Sequence, residues 1–402
     1  MKQTELDTME HCVNSLLDTD LYKLSMMQVV LFTFPQLNVK YRFKCRNRGV
    51  KFTEPEVNKI KEEVDHFCSL YFKEDELRYL GSIRFFKPAF IEFLKLYHPD
   101  RSFIEIKAEG ESNLEITVEG PWFLVILFEV PVLAIVNEIY FRKFNTPETH
   151  EEFYKRLEAK VEWANQNSFG AFSEFGTRRR FSRQYHKELL AYMIKHFDAG
   201  SATKIVGTSN VMYAKEFGLT PVGTFAHEYV QAGQGLANVT LRDSQRYMFQ
   251  KWAEFYDGDL GTCLSDTLGL DKFEKDFTMY FAKLFDGIRQ DSGDPFEFGE
   301  RMIKMYRKYR IDPKTKSLMF SDNLDFQEAK LIYDAFKDRI KVGFGIGTYI
   351  TNDCGPSPLN IVMKMQSVDG RPVAKIAEDP SKTMCEDKSY LEYLKKVCID
   401  EK

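Results

Sequence analysis

The clearest pattern in the chain begins at Val39. Val39, Tyr41, Phe43 and Cys45 fall on one side, and Lys40, Arg42, Lys44 and Arg46 on the other. A period of two is that of a half-buried strand. The same period returns at Ile104, Ile106 and Ala108 and at Leu114, Ile116 and Val118, with Glu109-Gly110-Glu111-Ser112-Asn113 between them as a hairpin loop. An antiparallel sheet is therefore predicted for the N-terminal part. Ahead of it, Leu21, Leu24, Met27 and Leu31 share one helical face. Asp18 or Asp20 is placed to cap that helix, because a carboxylate accepts the orphan amide hydrogens of a first turn. The apolar run Trp122 to Val136 is interrupted by Glu129 and Pro131. It falls short of the ~20 residues of a membrane span, so a buried, interrupted helix is expected. Glu148 to Asn167 carries Phe153, Leu157, Val161 and Ala164 at helical spacing.

From about residue 200 the pattern changes. Short apolar segments at 204–207, 220–223, 261–264, 285–288, 316–320 and 340–344 alternate with polar loops and helix-forming stretches such as Pro295 to Tyr309 and Phe326 to Phe336. Strands alternating with helices predict a parallel sheet, and the number of units favours closure into a barrel. Near the end, Leu359 to Met363 and Val373 to Ile376 flank Asp369-Gly370-Arg371-Pro372, a hairpin signal whose strands are expected to return to the N-terminal sheet. The fold class is thus α/β: an irregular parallel α/β barrel (136–355) with an N-terminal α+β domain (1–135) completed by a C-terminal hairpin and tail (356–402).

Composition narrows the function classes. The chain has 402 residues with 56 Lys plus Arg against 60 Asp plus Glu, a net charge of −4 that gives no bulk reason to expect nucleic-acid or membrane binding, so any anion site must be local. The N-terminal MKQTELDTMEHCVNS has no apolar signal core, and the seven Cys are scattered without CxxC pairs. A cytoplasmic location is expected and structural zinc is not.

In a parallel α/β barrel the site lies at the C-terminal ends of the strands. There the chain places Gly207-Thr208-Ser209-Asn210, Phe225-Ala226-His227-Glu228, Ser265-Asp266-Thr267, Arg289-Gln290-Asp291-Ser292, Ser321-Asp322-Asn323 and Gly343-Phe344-Gly345-Ile346-Gly347-Thr348. Asp266, Asp291 and Asp322 would converge on one mouth, where carboxylates suit a magnesium-bearing substrate, ribose hydroxyls and a cationic transition state. Each Asp alone reads equally well as a helix N-cap; three in corresponding positions favour a shared site. The glycine-spaced segment at the last strand exit lets backbone amides approach a phosphate, although its glycines alone also fit tight turns. Arg178-Arg179-Arg180 is either a local anion site or a solvated basic helix face. His227, beside Glu228, is an acid/base group, a nucleophile or a structural histidine.

Several stretches together resemble the nicotinate phosphoribosyltransferase family: Asp18-Thr19-Asp20-Leu21-Tyr22-Lys23-Leu24-Ser25-Met26, Glu174-Phe175-Gly176-Thr177-Arg178-Arg179-Arg180, Gly207-Thr208-Ser209-Asn210-Val211, Gly223-Thr224-Phe225-Ala226-His227-Glu228, Arg289-Gln290-Asp291-Ser292-Gly293-Asp294-Pro295 and Ser321-Asp322-Asn323-Leu324. The resemblance runs from near residue 16 to near residue 383 and implies a type II phosphoribosyltransferase fold. It also implies an ATP-dependent, ligase-like transfer of phosphoribosyl from phosphoribosyl pyrophosphate to nicotinate, with Mg2+, in pyridine nucleotide salvage for NAD biosynthesis. By the same resemblance Tyr22 and Phe175 sandwich the pyridine ring, with Tyr22 supplied by either subunit of a homodimer, and Arg178 and Arg289 lie near substrate anions. Gly345, Gly347 and Thr348 hold the 5′-phosphate, Asp266, Asp291 and Asp322 line the ribose and pyrophosphate region, and His227 is the phosphorylated histidine. Ser209 stands where the nicotinamide-using relatives carry Asp. A hydroxyl donates to a carboxylate substrate that an Asp would repel, which favours the acid over the amide. A shorter quinolinate-using relative, a non-catalytic metabolite-binding relative and an unrelated sugar-phosphate lyase or isomerase are the alternatives. The last needs a strand-end lysine or general base that the sequence does not offer.

Overall fold

The computed structural model describes residues 10–197, 203–376, 383 and 385–398. The first strands are β1 (Asn38–Cys45), β2 (Ile104–Lys107) and β3 (Glu115–Pro121). The alternation from Val39 behaves as expected: Val39, Tyr41 and Phe43 are buried, whereas Lys44 is exposed and Lys40 and Arg42 are half-buried. The hairpin of β2 and β3 pairs Ile106 with Ile116. The helix Leu21–Thr33 forms, but neither Asp18 nor Asp20 caps it with its side chain. Both carboxylates are drawn away by other partners: Asp18 by Arg180 and Asn210, and Asp20 by Ser209.

The apolar run proves longer than its sequence interruptions suggest. A 23-residue helical stretch, Trp122–Phe144, is long and apolar enough to cross a membrane by length and composition, yet 89% of its most apolar window is buried inside the fold. It consists of the helix Trp122–Val125, a 3-10 turn Ile126–Phe128, and a restarted helix Glu129–Phe141 followed by a further 3-10 turn. Pro131 falls in the first turn of the restarted helix, where no intrahelical amide bond is lost. The restart also places Glu129 where its carboxylate reaches Lys23 and Arg178.

The second sheet contains β4 (Ala171–Glu174), β5 (Lys204–Thr208), β6 (Thr220–Pro221), β7 (Thr262–Leu264), β8 (Gly287–Gln290), β9 (Ser317–Phe320) and β10 (Lys341–Ile346). Every pairing is parallel, and the order is β6-β5-β4-β10-β9-β8-β7. Read around the circle this is sequence order, with β10 closing onto β4 and one seam, β6 to β7, left without ladder bonds among the described residues. Thr224, just past β6, spans the seam by donating its hydroxyl to the Thr262 carbonyl at 2.7 Å, and Ser25 of the first helix donates to the Thr224 carbonyl at 2.6 Å. The barrel is therefore irregular, and part of the N-terminal helix packs at its opening. Strand β4 is absent from the sequence expectation, because four residues between a long helix and a basic run carry too little periodicity to register.

The C-terminal segment contributes β11 (Ile361–Val368) and β12 (Arg371–Pro372), followed by a helix Lys388–Cys398 whose Leu394 and Cys398 pack with Leu268, Ala374 and Ile376. The N-terminal sheet has the order β12-β11-β1-β3-β2, so β11 lies antiparallel beside β1. Asp369 (φ 48°) and Gly370 (φ 74°) make the two-residue turn, both in the left-handed region that such hairpins require. The second strand is much shorter than the expected Val373 to Ile376. The Gln234 side-chain amide donates to the Ala374 carbonyl at 2.8 Å and accepts from its amide at 2.9 Å, taking the place of a strand neighbour and turning Lys375 inward.

Candidate active site

His227 opens the short helix His227–Ala232 and meets residues at the ends of β7 and β8. Its Nε2 lies 2.9 Å from Asp266 Oδ1 and 3.8 Å from Asp291 Oδ2. The other oxygen of Asp266 accepts from Ser292 Oγ at 2.6 Å and from Lys375 Nζ at 2.7 Å. Burial alone would raise the Asp266 carboxyl, but His227 and Lys375 together hold it well below the usual carboxylate range. Burial, and then the Lys375 cation, push the His227 imidazole down to about 4, so the ring is neutral near pH 7. A proton on Nε2 donated to the anionic Asp266 satisfies the short contact and leaves Nδ1 with its lone pair. Asp291 is tied through Oδ1 to Arg289 at 2.9 Å and to the Ser321 hydroxyl at 3.1 Å. Arg289 in turn sits over the Phe175 ring, 5.7 Å from its centroid.

The second half of the site descends from the β4 exit and the N-terminal helix. Arg178 is 37% exposed, lies 3.4 Å from Glu129 Oε1 and 3.9 Å from Asp20 Oδ2, and points into the same cavity as Tyr22, His227, Arg289 and Asp291. Arg179 donates to the Ile361 carbonyl at 3.1 Å. Arg180 is fully buried in a two-pronged pair with Asp18, at 2.7 and 2.8 Å. The basic run is thus no solvated helix face: one arginine faces the cavity, one ties down a strand and one is internal structure. Below Arg178, Lys23 is fully buried between Glu129 (2.5 Å) and Glu228, and Glu228 also accepts from Tyr41 at 2.5 Å. Burial opposes ionisation of Glu129, yet Lys23 and Arg178 bring it down to about 2.

Of the residues singled out in the sequence, Tyr22, Arg178, His227, Arg289 and Asp291 line one cavity of about 60 Å³, with Asp266 directly behind His227. Phe175 stands at its side against Arg289. Ser209 is buried, and its hydroxyl donates to Asp20 at 2.7 Å instead of facing the cavity. Asp322, after β9, is not among the cavity-lining residues; its charge is felt by Glu328, together with Asp325 and Asp294. At Gly345 a Cβ would sit 2.3 Å from the Phe175 ring, so its lack of a side chain admits that ring. Gly347 approaches the Phe175 carbonyl in the same way, at 3.0 Å, and Thr348 starts a four-residue helix immediately after it.

Two residues that sequence reasoning passed over belong to this site. Lys364 of β11 lines the cavity without a hydrogen bond or ion pair among the described residues, and burial followed by the nearby Lys375 lowers its ammonium to about 8. Lys375 reaches Asp266 from the segment after β12. Both come from the C-terminal segment, beyond the last strand-end motif of the barrel. The one available signal was Lys364 and Lys375 as isolated cations within apolar segments.

Residues 170–402 match the nicotinate phosphoribosyltransferase (NAPRTase) family, and residues 17–137 match its N-terminal domain. The nicotinate phosphoribosyltransferase of Xanthomonas campestris pv. campestris is 50% identical over 388 residues, 96% of each chain. That of Xylella fastidiosa is 49% identical over 395 residues, covering 97% of this chain and 98% of its own. Among solved structures, the nicotinate phosphoribosyltransferase of Vibrio cholerae superposes with a TM-score of 0.89 at 35% identity, covering 96% of this chain and 94% of its own. That of Porphyromonas gingivalis gives 0.89 at 32%, covering 96% and 99%.

Proposed function

The chain belongs to the nicotinate phosphoribosyltransferase family, and from that membership we propose that it transfers phosphoribosyl from phosphoribosyl pyrophosphate to the ring nitrogen of nicotinate, coupled to ATP hydrolysis through a phosphohistidine at His227. The observation that carries this reading is a single cavity in which three cations, Arg178, Arg289 and Lys364, stand with a neutral histidine and the carboxylates of Asp291, Glu129 and Glu228, the two glutamates also holding the buried Lys23. Three anionic groups fit that arrangement: the carboxylate of the base, the 5′-phosphate and the leaving pyrophosphate.

The reacting nitrogen of nicotinate carries no proton, so the transfer needs no general base. The lone pair forms the bond to the anomeric carbon as the bond to pyrophosphate breaks, and both electrons of that bond leave with pyrophosphate. Arg178 orients the base carboxylate, Phe175 and Tyr22 offer flat faces to its ring, and Asp291 places negative charge where the ribose becomes cationic. Lys364 and Arg289 receive the charge of the departing pyrophosphate. The oxygen donors fit a magnesium ion carried by the substrate: Asp291 keeps Oδ2 without a hydrogen-bond donor among the described residues, whereas both oxygens of Asp266 are engaged. When bound, magnesium supplies charge neutralisation of pyrophosphate. For the ATP step, Nδ1 of neutral His227 attacks the γ-phosphorus, the P–N bond forms and ADP departs with the electrons of the broken P–O bond. Asp266 holds the Nε2 proton and stabilises the charge that develops on the ring.

A non-catalytic metabolite-binding role is the competing reading, and the preassembled His227–Asp266–Lys375 chain argues against it, since binding alone has no use for a neutral, oriented imidazole. The seven cysteines are all free, which supports work in a reducing cytoplasm, in salvage of pyridine for NAD. The test offers purified protein phosphoribosyl pyrophosphate, magnesium and labelled nicotinate or nicotinamide, with and without ATP. Nicotinate mononucleotide formed faster with ATP is expected, and His227→Ala should abolish the ATP stimulation while leaving slow transfer. Nicotinamide mononucleotide as the main product, or undiminished ATP coupling in the variant, would sink the reading.

A further inference from the structure

Lys23 has no direct place in the chemistry above, yet its burial is complete and its surroundings are unusual. A buried ammonium ordinarily meets one carboxylate; this one meets two, Glu129 at 2.5 Å and Glu228. Tyr22 and Tyr41 rings lie beside it, with centroids 5.5 and 5.8 Å from Nζ. Glu129 is at the same time the nearest carboxylate to Arg178, through its other oxygen at 3.4 Å. The two contacts differ in quality: the Lys23 contact is short and closed to solvent, whereas the Arg178 contact is long and its guanidinium is partly exposed. One carboxylate is thus shared between a buried lysine that holds it tightly and a cavity arginine that holds it loosely.

We infer that Lys23 is an affinity-setting residue for the carboxylate-bearing base: by neutralising Glu129 from below, it leaves the Arg178 guanidinium uncommitted and able to take the carboxylate of the substrate. This rests on the assignment of Arg178 to that carboxylate. Without the lysine, Glu129 turns its full charge on Arg178, which then has a resident partner that the substrate must displace. Glu228, accepting from Tyr41 at 2.5 Å, keeps Lys23 between the two carboxylates and prevents it from following Glu129 toward the cavity. Lys23 is accordingly a positioning residue that acts through Glu129. It is distinct from the strand-end groups, because it lies on the N-terminal helix and approaches the site from beneath.

The experiment measures KM for nicotinate, KM for phosphoribosyl pyrophosphate and kcat in four variants. Lys23→Met should raise the nicotinate KM by about tenfold, the size of one weakened charge-assisted hydrogen bond, with the other two parameters moving far less. Glu129→Gln should lower the nicotinate KM, because Arg178 loses its competitor. Because Lys23 acts through Glu129, the double variant Lys23→Met/Glu129→Gln, which carries the same net charge as the parent cluster, should lose the rise seen in Lys23→Met and show the nicotinate KM of the Glu129→Gln variant. A purely structural role for Lys23 would shift all three parameters together and would not be repaired in the double variant, and that result overturns the inference. If Lys23→Met does not fold, Glu129→Gln decides alone, since an unchanged or higher nicotinate KM contradicts competition for Arg178. Arg178→Gln separates the two layers: an unaltered nicotinate KM there removes the Arg178 assignment itself. A raised one, combined with a Glu129→Gln variant that gains no affinity, removes only the role of Lys23.

Discussion

Replacing Gly345 by Ala separates two roles for the glycine-spaced segment that ends β10. A Cβ at Gly345 would lie 2.3 Å from Cδ2 and 2.4 Å from Cε2 of Phe175. Carbon atoms in comfortable contact stand about 3.5 Å apart or more, so the ring must retreat by about 1 Å. Its retreat is constrained, because the Phe175 amide donates to the Ile346 carbonyl at 2.8 Å and Arg289 lies across the ring. A displacement of about 1 Å in a substrate-positioning group costs on the order of 10²-fold in rate, or about 2.7 kcal/mol in transition-state stabilisation. The assay is steady-state kinetics with each substrate varied in turn, alongside thermal unfolding to verify that the variant is folded. If Gly345 is there to admit Phe175, kcat/KM for nicotinate falls by about that factor and KM for phosphoribosyl pyrophosphate changes little. A folded variant with unaltered nicotinate kinetics refutes the reasoning. A selective rise in KM for phosphoribosyl pyrophosphate would instead return Gly345 to the phosphate-binding role that the family resemblance implies.

Three further outcomes follow from the buried charges. Lys364 has its ammonium lowered to about 8 by burial and then by Lys375, so its positive charge is lost as pH rises through that value; KM for phosphoribosyl pyrophosphate should climb above pH 8, and Lys364→Met should show a raised KM with no such limb. The same depressed value means that Lys364 itself contributes stability that grows as pH rises from about 8 toward the ordinary lysine value near 10.4, read as the difference between thermal melts of the parent and of Lys364→Met at several pH values. Arg180→Met strands the buried Asp18 carboxylate and should cost about 3–5 kcal/mol of stability by chemical denaturation, whereas Arg178→Gln, two residues away, should change nicotinate kinetics and leave the unfolding midpoint near that of the parent. Equal stability losses in the two variants would contradict the division of roles within the arginine run.

Much of the architecture was written in local pattern. The period-two stretches from Val39 and around Ile106 and Ile116 specify strands wherever they fold, because alternate side chains must lie on opposite faces. The Asp369-Gly370 turn announces its hairpin because few other residues adopt that backbone cheaply. Strand-end placement brought His227, Asp266, Asp291 and Arg289 to one mouth, since parallel strands point their C-terminal ends the same way. What the chain alone determined, then, is the order of the elements it made legible and the residues at the strand exits, with β4 and the second strand of the C-terminal hairpin left to the tertiary structure.

The tertiary structure decided the rest, and each case is a competition between partners that are remote in sequence. Asp18 and Asp20 could cap a helix, but Arg180 and Ser209 bind them instead, and Ser209 thereby turns from the cavity. Asp322 shares the strand-end position of Asp291 without sharing its cavity. Arg178, Arg179 and Arg180 are adjacent and of one type, yet face a cavity, a strand carbonyl and a buried carboxylate, because successive residues of a tight turn point in different directions. Lys364 and Lys375 reach the site only because β11 pairs with β1, and the Lys23–Glu129–Glu228 cluster exists only because the N-terminal helix packs against the restarted helix and the His227 helix. Local periodicity carries backbone geometry, but the choice among partners of opposite charge depends on distance and burial, which exist only once the chain has closed on itself.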